Sequence, residues 1–288
     1  MSSSFVTKES QVTRKFSLRD LLRHVILDIL SLSNPFRRYN KRNHIQFIYL
    51  HSVHDDQKNK LRSLIQKLAK SYQFISYSEA VNRIKENRID QSYACFSLDD
   101  GFKNNLNAVE VFNEFNISAC FFVCPAYVGM KDEQEIKLVC HEVFNSQPLE
   151  FMDWDDLNQI YLMGHEIGGH TQTHINLAQH SEETIQAELT ACYDAIKSHF
   201  KRPIHFAYPY GRYIDCPKSI YELILQSGFI SCASAERGCH INNDDSHKLL
   251  IRREHILLNW KMSHITYFLK KNKYSKLLQS NSFNQLVN

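Results

Sequence analysis

The sequence predicts an α/β fold, with a mainly parallel sheet that is closed or curved and helices packed outside it. From Ile45 onward, apolar runs of strand length alternate with helical-period segments, and polar clusters follow three of the strands. The 288 residues, 43% of them hydrophobic, suffice for a sizeable core, and α/β barrels of roughly 200–250 residues commonly form one unit. We therefore predict one compact domain over residues 44–260, an N-terminal extension over residues 1–43, and a C-terminal helix and tail over residues 261–288.

The N-terminal extension begins with 16 mostly polar residues, predicted to be disordered, and continues as an amphipathic helix. Seven apolar residues at helical spacing form one face of it: Leu18, Leu21, Leu22, Val25, Ile26, Ile29 and Leu32. Basic residues flank it on both sides: Arg14, Lys15, Arg19, Arg23, Arg37, Arg38, Lys41 and Arg42. Such a helix could make peripheral contact with an anionic membrane. Because most amphipathic helices of soluble proteins bury their apolar face in protein, we favour docking on the domain or on a second subunit.

The elements of the domain follow from the period of the apolar residues and from capping signals. Strands are predicted at Ile45–Leu50, Tyr93–Leu98, Ser118–Val123, Glu166–Ile167, Ile204–Ala207, Phe229–Ala233 and Leu249–Leu258. Helices are predicted between them at Lys58–Tyr72, Leu106–Phe115, Asp153–Leu162, Ser181–Phe200 and Pro217–Ser227, with Asp153 and Ser181 as N-caps. Active sites of parallel barrels lie at the carboxyl ends of the strands, so polar residues there are candidates for function.

Composition narrows the class of protein. The net charge of +3 and the absence of a basic stripe interleaved with aromatics give no indication of nucleic-acid binding. The eight cysteines form no CxxC pair, and Cys120 and Cys124 would lie about 13 Å apart on one strand. Reduced thiols, no recognisable signal peptide and no apolar run of membrane-spanning length predict a cytoplasmic protein, membrane-associated if the N-terminal helix binds lipid.

The first polar cluster is Asp99-Asp100-Gly101, directly after the apolar strand Tyr93–Leu98. Successive strand side chains point to opposite faces, so the two carboxylates should meet different partners. One could bind a metal ion while the other receives a proton. Alone, the pair would equally fit a helix N-cap.

The second cluster is the segment from His170 to His174, His-Thr-Gln-Thr-His, after Gly168-Gly169. Two histidines four residues apart can bind one ion if the segment makes a helical turn. About one such pair is expected by chance among 15 histidines, so its position at a strand end is the stronger argument.

The third cluster is Tyr208-Pro209-Tyr210-Gly211, just beyond the strand that ends at Ala207. A rigid aromatic loop could stack a sugar ring and direct a backbone N–H at a developing oxyanion. Taken alone, the segment fits an ordinary aromatic-rich turn.

Together, the three clusters resemble the NodB-type polysaccharide deacetylase family (carbohydrate esterase family 4-like). That family carries an Asp-Asp pair, a His-[Ser/Thr]-x-x-His motif and an Arg-x-Pro-Tyr motif in this order. Here they correspond to Asp99-Asp100, His170–His174 and Ala207-Tyr208-Pro209-Tyr210, within a similarity that runs from about Ile45 to Leu258. The resemblance implies a distorted (β/α) barrel with fewer than eight strands.

The resemblance also implies roles for these residues. Asp100, His170 and His174 would hold a divalent metal ion, expected to be zinc, although cobalt, nickel and iron(II) suit the same ligands. Asp99 would be the general base. The backbone N–H of Tyr210 would stabilise the oxyanion together with the ion.

Two departures from the family pattern leave alternatives open. Ala207 stands where the family usually has an arginine that orients the base; Arg252 or Arg253 could replace it, and strand alternation lets only one face inward, for which we favour Arg253. The late Leu-x-His motif that supplies the general acid is also missing. His51 and His255 are the candidates, and we favour His51 because it ends the first strand.

The resemblance implies a hydrolase of carbon–nitrogen bonds other than peptide bonds. The predicted reaction removes the N-acetyl group from an N-acetylhexosamine-containing glycan or its cytoplasmic precursor. Alternatives are a deacetylase or deformylase of a lipid- or nucleotide-linked sugar, and a catalytically inactive carbohydrate-binding protein on the same fold.

Overall fold

The computed structural model describes residues 5–12, 18–33, 42–243 and 250–272. Its strands are β1 Ile45–Leu50, β2 Gln73–Phe74, β3 Tyr93–Leu98, β4 Ala119–Val123, β5 Glu166–Gly169, β6 Phe206–Ala207, β7 Cys232–Ala233, β8 Leu250–Ile251 and β9 Arg253–His255. Its helices are α1 Leu18–Ser33, α2 Lys58–Leu68, α3 Tyr77–Lys85, α4 Leu106–Glu114, α5 Glu133–Glu142, α6 Trp154–Leu162, α7 Glu182–His199, α8 Lys218–Gln226 and α9 over residues 262–272.

The strands form one parallel sheet in the order β8-β7-β6-β5-β4-β3-β1-β9, and β2 pairs with β3. The strands at the two ends of this order, β8 and β9, are separated in the chain by Arg252 alone. Because one residue cannot cross an open sheet of this width, the sheet closes into a ring of seven positions, with β8 and β9 sharing one. Counted as positions around the ring, the predicted distorted barrel with fewer than eight strands is confirmed.

The single strand predicted over Leu249–Leu258 is wrong in detail. It is two short strands, because the chain bends at Arg252 as it changes from pairing with β7 to pairing with β1. Similarly, the strands predicted at Ile204–Ala207 and Phe229–Ala233 shorten to β6 and β7. Sequence analysis also missed β2, α3 and α5.

Side-chain alternation separates an inner from an outer core. Along β1 and β3, Ile48 and Phe96 belong to the outer layer that packs under the surrounding helices. Phe47 and Cys95 belong to the inner cluster, together with α3. Alternate side chains of a strand point to the same face, so Ser97 and then Asp99 follow Cys95 on the inward side. A base at position 99 therefore points into the barrel interior.

The helix α3 fills one end of the barrel, which explains why a barrel of so few strands has a packed interior. Tyr77 is fully buried, and its ring packs against the rings of Phe47 and Phe122 at centroid distances of 5.0 and 5.4 Å. The Ser78 backbone N–H and hydroxyl donate to the buried Glu166 carboxylate of β5 at 3.1 and 2.6 Å. These bonds attach α3 to the sheet end opposite the predicted site.

The prediction that residues 1–16 are disordered is wrong for residues 5–12, which lie on the domain surface. The Val6 N–H donates to the Pro148 carbonyl, and the Thr7 carbonyl accepts the Asp55 N–H. The Glu9 N–H donates to the Asp56 carboxylate at 2.9 Å. These partners are remote in sequence, and no local pattern announces them. The rest of the predicted segment lies outside the described residues.

The predicted N-terminal helix is present as α1, and one of its faces contacts the domain near α9. Among the described helices, none combines the length and the apolar character that a membrane span requires.

Candidate metal-dependent active site

Asp99 and Asp100 lie at the carboxyl end of β3 and point to different partners, as the alternation predicts. The chain turns sharply there, because Asp100 and Gly101 both have positive φ, 75° and 80°. An added Cβ at Gly101 would meet the Val123 side chain at 3.3 Å. A residue with a side chain would therefore be strained at position 101, both by its backbone angle and by β4.

Asp100, His170 and His174 converge, and all three are largely buried. The Oδ1 atom of Asp100 lies 3.4 Å from Nε2 of His170 and 3.6 Å from Nε2 of His174. Two ligands of one tetrahedral zinc ion, each about 2.0–2.1 Å from it, are about 3.4 Å apart. Both distances match this spacing, and all three ligand atoms lie within 4.8 Å of one another.

The hydrogen bonding of this cluster also fits a metal ion. Asp100 Oδ1 is buried and, within the part of the chain described, accepts no hydrogen bond. His170 Nδ1 lies 2.6 Å from the Ala207 carbonyl, to which it can only donate. That bond leaves Nε2 as the unprotonated nitrogen facing Asp100, which is the tautomer a metal needs. A buried anionic oxygen beside two imidazole nitrogens is the donor set of zinc and related ions.

The electrostatics of the cluster favour an anionic Asp100. Burial alone would raise the pKa of Asp100, but the contact with His170 and the charges of His51 and His174 lower it well below its usual range. Burial lowers the pKa of His174 to about 4, so this imidazole is neutral at neutral pH. For His170, the neighbouring Asp100 and Asp99 outweigh burial and raise its pKa.

The loop that carries His170 and His174 is not the helical turn expected from their spacing. Thr171 and His174 both have φ of 61°, which no helical turn allows, and the segment forms an irregular loop. Glu188 of α7 holds this loop in place: its carboxylate accepts the Thr173 backbone N–H at 2.8 Å and the Thr173 hydroxyl at 2.7 Å. Sequence analysis missed Glu188, because nothing in the spacing of α7 distinguishes it from other surface acids.

The glycines before His170 allow the site to pack closely. An added Cβ at Gly168 would lie 2.6 Å from the Phe122 ring and 2.9 Å from the His205 carbonyl. One at Gly169 would lie 2.8 Å from the Cys192 sulfur. Neighbouring side chains and backbone therefore pack directly against the backbone of β5 on both of its faces, and neither glycine position has room for a side chain.

Asp99 is held by Arg253, the arginine that sequence analysis favoured. Two parallel hydrogen bonds of 2.8 Å join Nη1 and Nη2 of Arg253 to the two carboxylate oxygens. Arg253 also donates to the Ser97 hydroxyl and to the Ser234 carbonyl, and its guanidinium lies 4.2 Å from the Tyr49 ring centroid. Arg252 has the opposite parity, and its side chain packs beside Gly238.

The two histidine candidates for the general acid are neighbours. Nδ1 of His51 lies 3.0 Å from Nε2 of His255, and the His255 ring stacks on Tyr49 at 4.8 Å. Burial lowers the pKa of His255 well below its ordinary value, with the charge of His51 adding to the effect. His51 is half-buried and opens on a small pocket that Ser52 and residues 256–259 also line. His51 therefore has access to this pocket, whose lining does not include His255.

The aromatic loop forms one rim of the site. Tyr210 is 54% exposed, and its ring centroid lies 5.5 Å from that of His174. Its φ is 63°, and within the described residues its backbone N–H has no acceptor. Gly211, at φ 75°, approaches Ala235 so closely that an added Cβ would lie 2.4 Å from the Ala235 Cβ.

The Phe144 ring also lies against His174, with a ring-centroid distance of 4.6 Å. It comes from the segment Ala126–Glu150, which contains α5 and in which the sequence showed no readable pattern.

Comparison with known proteins agrees with this geometry. Residues 86–223 match the family model described as polysaccharide deacetylase. That region includes Asp99, Asp100, His170, His174 and Tyr210. The match confirms the family resemblance and, with it, the hydrolase class. No curated protein sequence matches the chain.

Solved structures show the same fold at low sequence identity. The Streptococcus pyogenes deacetylase PplD, in complex with acetate, has a TM-score of 0.64 and 16% identity, over 81% of this chain and 100% of that one. IcaB from Ammonifex degensii has a TM-score of 0.61 and 16% identity, over 80% and 100%. BC0361, a polysaccharide deacetylase from Bacillus cereus, has a TM-score of 0.61 and 13% identity, over 78% and 69%.

Proposed function

We propose that this chain, which matches the polysaccharide deacetylase family over residues 86–223, is a metal-dependent hydrolase that removes the N-acetyl group from an N-acetylhexosamine unit. The observation that carries the proposal is the convergence of Asp100, His170 and His174 beside a buried Asp99–Arg253 pair. A ligand set and a separate, oriented carboxylate are the two parts that metal-assisted amide hydrolysis requires.

Asp100, His170 and His174 would hold the ion, for which zinc is our first choice. When bound, such an ion lowers the pKa of water and polarises a carbonyl oxygen. The carbonyl of Ala207 keeps the His170 imidazole in the ligating tautomer, and Glu188 keeps His174 in reach. Cobalt, nickel and iron(II) remain alternatives, because they accept the same nitrogen and oxygen donors.

Asp99 would take a proton from the attacking water while the water oxygen bonds to the acetyl carbonyl carbon. Arg253 fixes both carboxylate oxygens, so the base keeps one orientation. The Tyr210 N–H would donate to the oxyanion that develops on the former carbonyl. When the carbon–nitrogen bond breaks, His51 would protonate the leaving nitrogen, which yields acetate and a free amine.

The substrate we favour is an N-acetylhexosamine in a glycan or in a cytoplasmic precursor of one. Tyr210 and Phe144 border His174 with apolar ring surface, which suits the face of a sugar ring. All eight cysteines are unpaired, and seven are buried, which agrees with a reducing compartment and supports a cytoplasmic site of action. A lipid- or nucleotide-linked sugar is the second candidate, favoured by the exposed apolar face of α1.

The test is metal analysis of the purified chain combined with acetate release from a panel of N-acetylated sugars. We expect one bound divalent ion, and activity that a chelator abolishes and zinc restores. Asp99→Asn should keep the ion but lose about 10²–10⁴-fold in rate. Asp155→Asn, the same change in the exposed first turn of α6, is the matched control and should retain full activity.

Two results would overturn the proposal. Asp99→Asn hydrolysing as fast as the control would remove the base assignment. A chain that binds N-acetylated glycan, but binds no metal and releases no acetate, would instead be an inactive carbohydrate-binding protein.

A further inference from the structure

The described surface of α1 carries a stripe of exposed aliphatic side chains along one face. Leu22, Val25, Ile26 and Ile29 are 49–61% exposed, at the i, i+3, i+4 and i+7 spacing of one helix face. We name these four residues the α1 stripe. We propose that the α1 stripe binds the surface of an anionic lipid membrane, with α1 lying in the plane of that surface.

The opposite face of α1 fixes the direction in which the stripe points. Leu27 is buried, and Asp28 accepts hydrogen bonds from Lys261 and His264, both at 2.7 Å. The contacts with Lys261 and His264 hold the pKa of Asp28 below its usual value, so this carboxylate is charged at neutral pH. Because this face is held against α9, the stripe faces away from the domain. The docking favoured from the sequence thus uses a different face from the stripe.

Charge identifies the partner as anionic. Between positions 14 and 42 the chain has eight basic and only two acidic residues. The basic residues are Arg14, Lys15, Arg19, Arg23, Arg37, Arg38, Lys41 and Arg42. Two copies of so basic a segment would repel each other if their stripes met, whereas an anionic bilayer attracts lysine and arginine near its surface.

Length favours a helix that lies on the membrane over one that crosses it. The 16 residues of α1 extend about 24 Å at 1.5 Å per residue, and a bilayer core is about 30 Å thick. Asp28 within the helix is also engaged with the domain. An apolar stripe combined with flanking basic residues is the pattern of an interfacial helix.

The attachment of α1 connects it to the catalytic side of the domain. Trp260 lies 5.6 Å beneath the Arg23 guanidinium, and it directly follows residues 256–259, which line the pocket at His51. If the proposed function holds, a sugar carried on a lipid would meet the active site from the membrane on which the enzyme rests. The docking itself does not depend on catalysis, so each can fail without the other.

The test is co-sedimentation of the full chain with vesicles of phosphatidylcholine mixed with phosphatidylglycerol, and with vesicles of phosphatidylcholine alone. We expect binding to the mixed vesicles that weakens as salt is added. The double variant Ile26→Glu/Ile29→Glu should bind at least about tenfold more weakly, because it removes two aliphatic anchors and adds two repelled charges. Leu138→Glu/Leu162→Glu makes the same change at two other exposed leucines, of α5 and α6, and should bind like the unmodified chain.

Circular dichroism and acetate release from a soluble substrate show whether each variant is folded, and neither should change. Equal binding by the two double variants, or no binding by the unmodified chain, would overturn the proposal. So would sedimentation that shows a dimer for the unmodified chain and a monomer for Ile26→Glu/Ile29→Glu, because the stripe would then be covered by a second copy.

Discussion

Replacing Arg253 by methionine tests how the base is held, because it removes the guanidinium and keeps an unbranched side chain of similar length. Arg253 is 1% exposed and Asp99 is 2% exposed. The substitution removes both 2.8 Å bonds to the carboxylate and the bond to the Ser234 carbonyl. Breaking a buried pair in this way typically costs about 3–5 kcal/mol, since the remaining charge has no partner. We expect a loss of about 4 kcal/mol in the free energy of unfolding.

Urea denaturation of the chelator-treated protein measures this loss, and the chain contains a matched control. Arg212 makes an equally bidentate pair with Asp215, with both bonds at 2.9 Å, but its side chain is 67% exposed. Asp215 is itself buried, but it keeps its hydrogen bonds from the Asn176 side chain and the Arg212 backbone N–H. Arg212→Met should therefore cost only about 1–2 kcal/mol. In the double variant Arg253→Met/Asp99→Asn no buried charge is left unpaired, so its cost should fall below the sum of the two single costs by about 1.5 kcal/mol or more.

Acetate release gives the second readout. Arg253→Met should lose most of the rate that Asp99→Asn loses, and adding it to Asp99→Asn should change the rate little, because both act on the same base. Two outcomes would refute this reasoning: a stability loss no larger than that of Arg212→Met, or costs of the two substitutions that simply add.

Three further predictions concern residues around the site and the core. Glu188→Ala should lower zinc affinity by about 10–100-fold in a chelator competition, because Thr173 loses both of its carboxylate contacts; unchanged affinity would contradict a positioning role. Burial lowers the pKa of His165 to about 4, below the 6.5 of an exposed histidine. The stability contributed by neutral His165 is complete above pH 6.5 and lost as the pH falls towards 4. Relative to His165→Asn, the native chain should therefore lose about 3 kcal/mol in the free energy of unfolding over that pH interval, as measured by urea denaturation. Stability curves of the two proteins that run parallel with pH would contradict this prediction. Gly168→Ala should cost about 1–3 kcal/mol in thermal unfolding, because its methyl group would overlap Phe122, and an unchanged melting temperature would contradict the packing argument.

The parts of the fold that could be predicted are those in which local pattern and tertiary role coincide. The six-residue strands β1 and β3 are largely apolar runs, interrupted by Gln46 and Ser97, because both of their faces are buried. Asp153 and Ser181 cap α6 and α7 as expected, since an N-cap depends only on the next three residues. The Asp-Asp pair could be placed for the same reason, directly after an unmistakable strand.

The parts that could not be predicted depend on contacts between remote segments. The strands β6 to β9 have two or three residues each, too few to show a period. The shape of the loop from His170 to His174 depends on left-handed φ values at Thr171 and His174, which the residue types do not indicate. The signal for α3 was present, since Ser76 and Glu79 have capping-box spacing, but its place inside the barrel depends on Glu166, far along the chain.

The arginine that orients Asp99 comes from a different strand from the one that the family motif indicates. Sequence comparison finds alanine at position 207 of β6, yet the guanidinium is present, supplied by β9. In the closed ring β6 and β9 lie on either side of β3, at three and two strand positions from it. What the base needs is a guanidinium at one point in the interior, and a long side chain from either strand can reach it. Ala207 is fully buried in the inner cluster, where it contributes only a methyl group.

The same pair bears on whether the chain is an enzyme or an inactive relative. A buried ion pair contributes little net stability, since the loss of hydration offsets most of the attraction, and apolar residues often serve as well or better. Stability alone therefore gives a poor account of a buried guanidinium fixed by Asp99, Ser97 and Ser234. A requirement for one carboxylate in one orientation, next to Asp100 and its two histidines, accounts for each of these bonds. The position of Arg253, independently of the motifs, therefore favours the hydrolase over the binding protein.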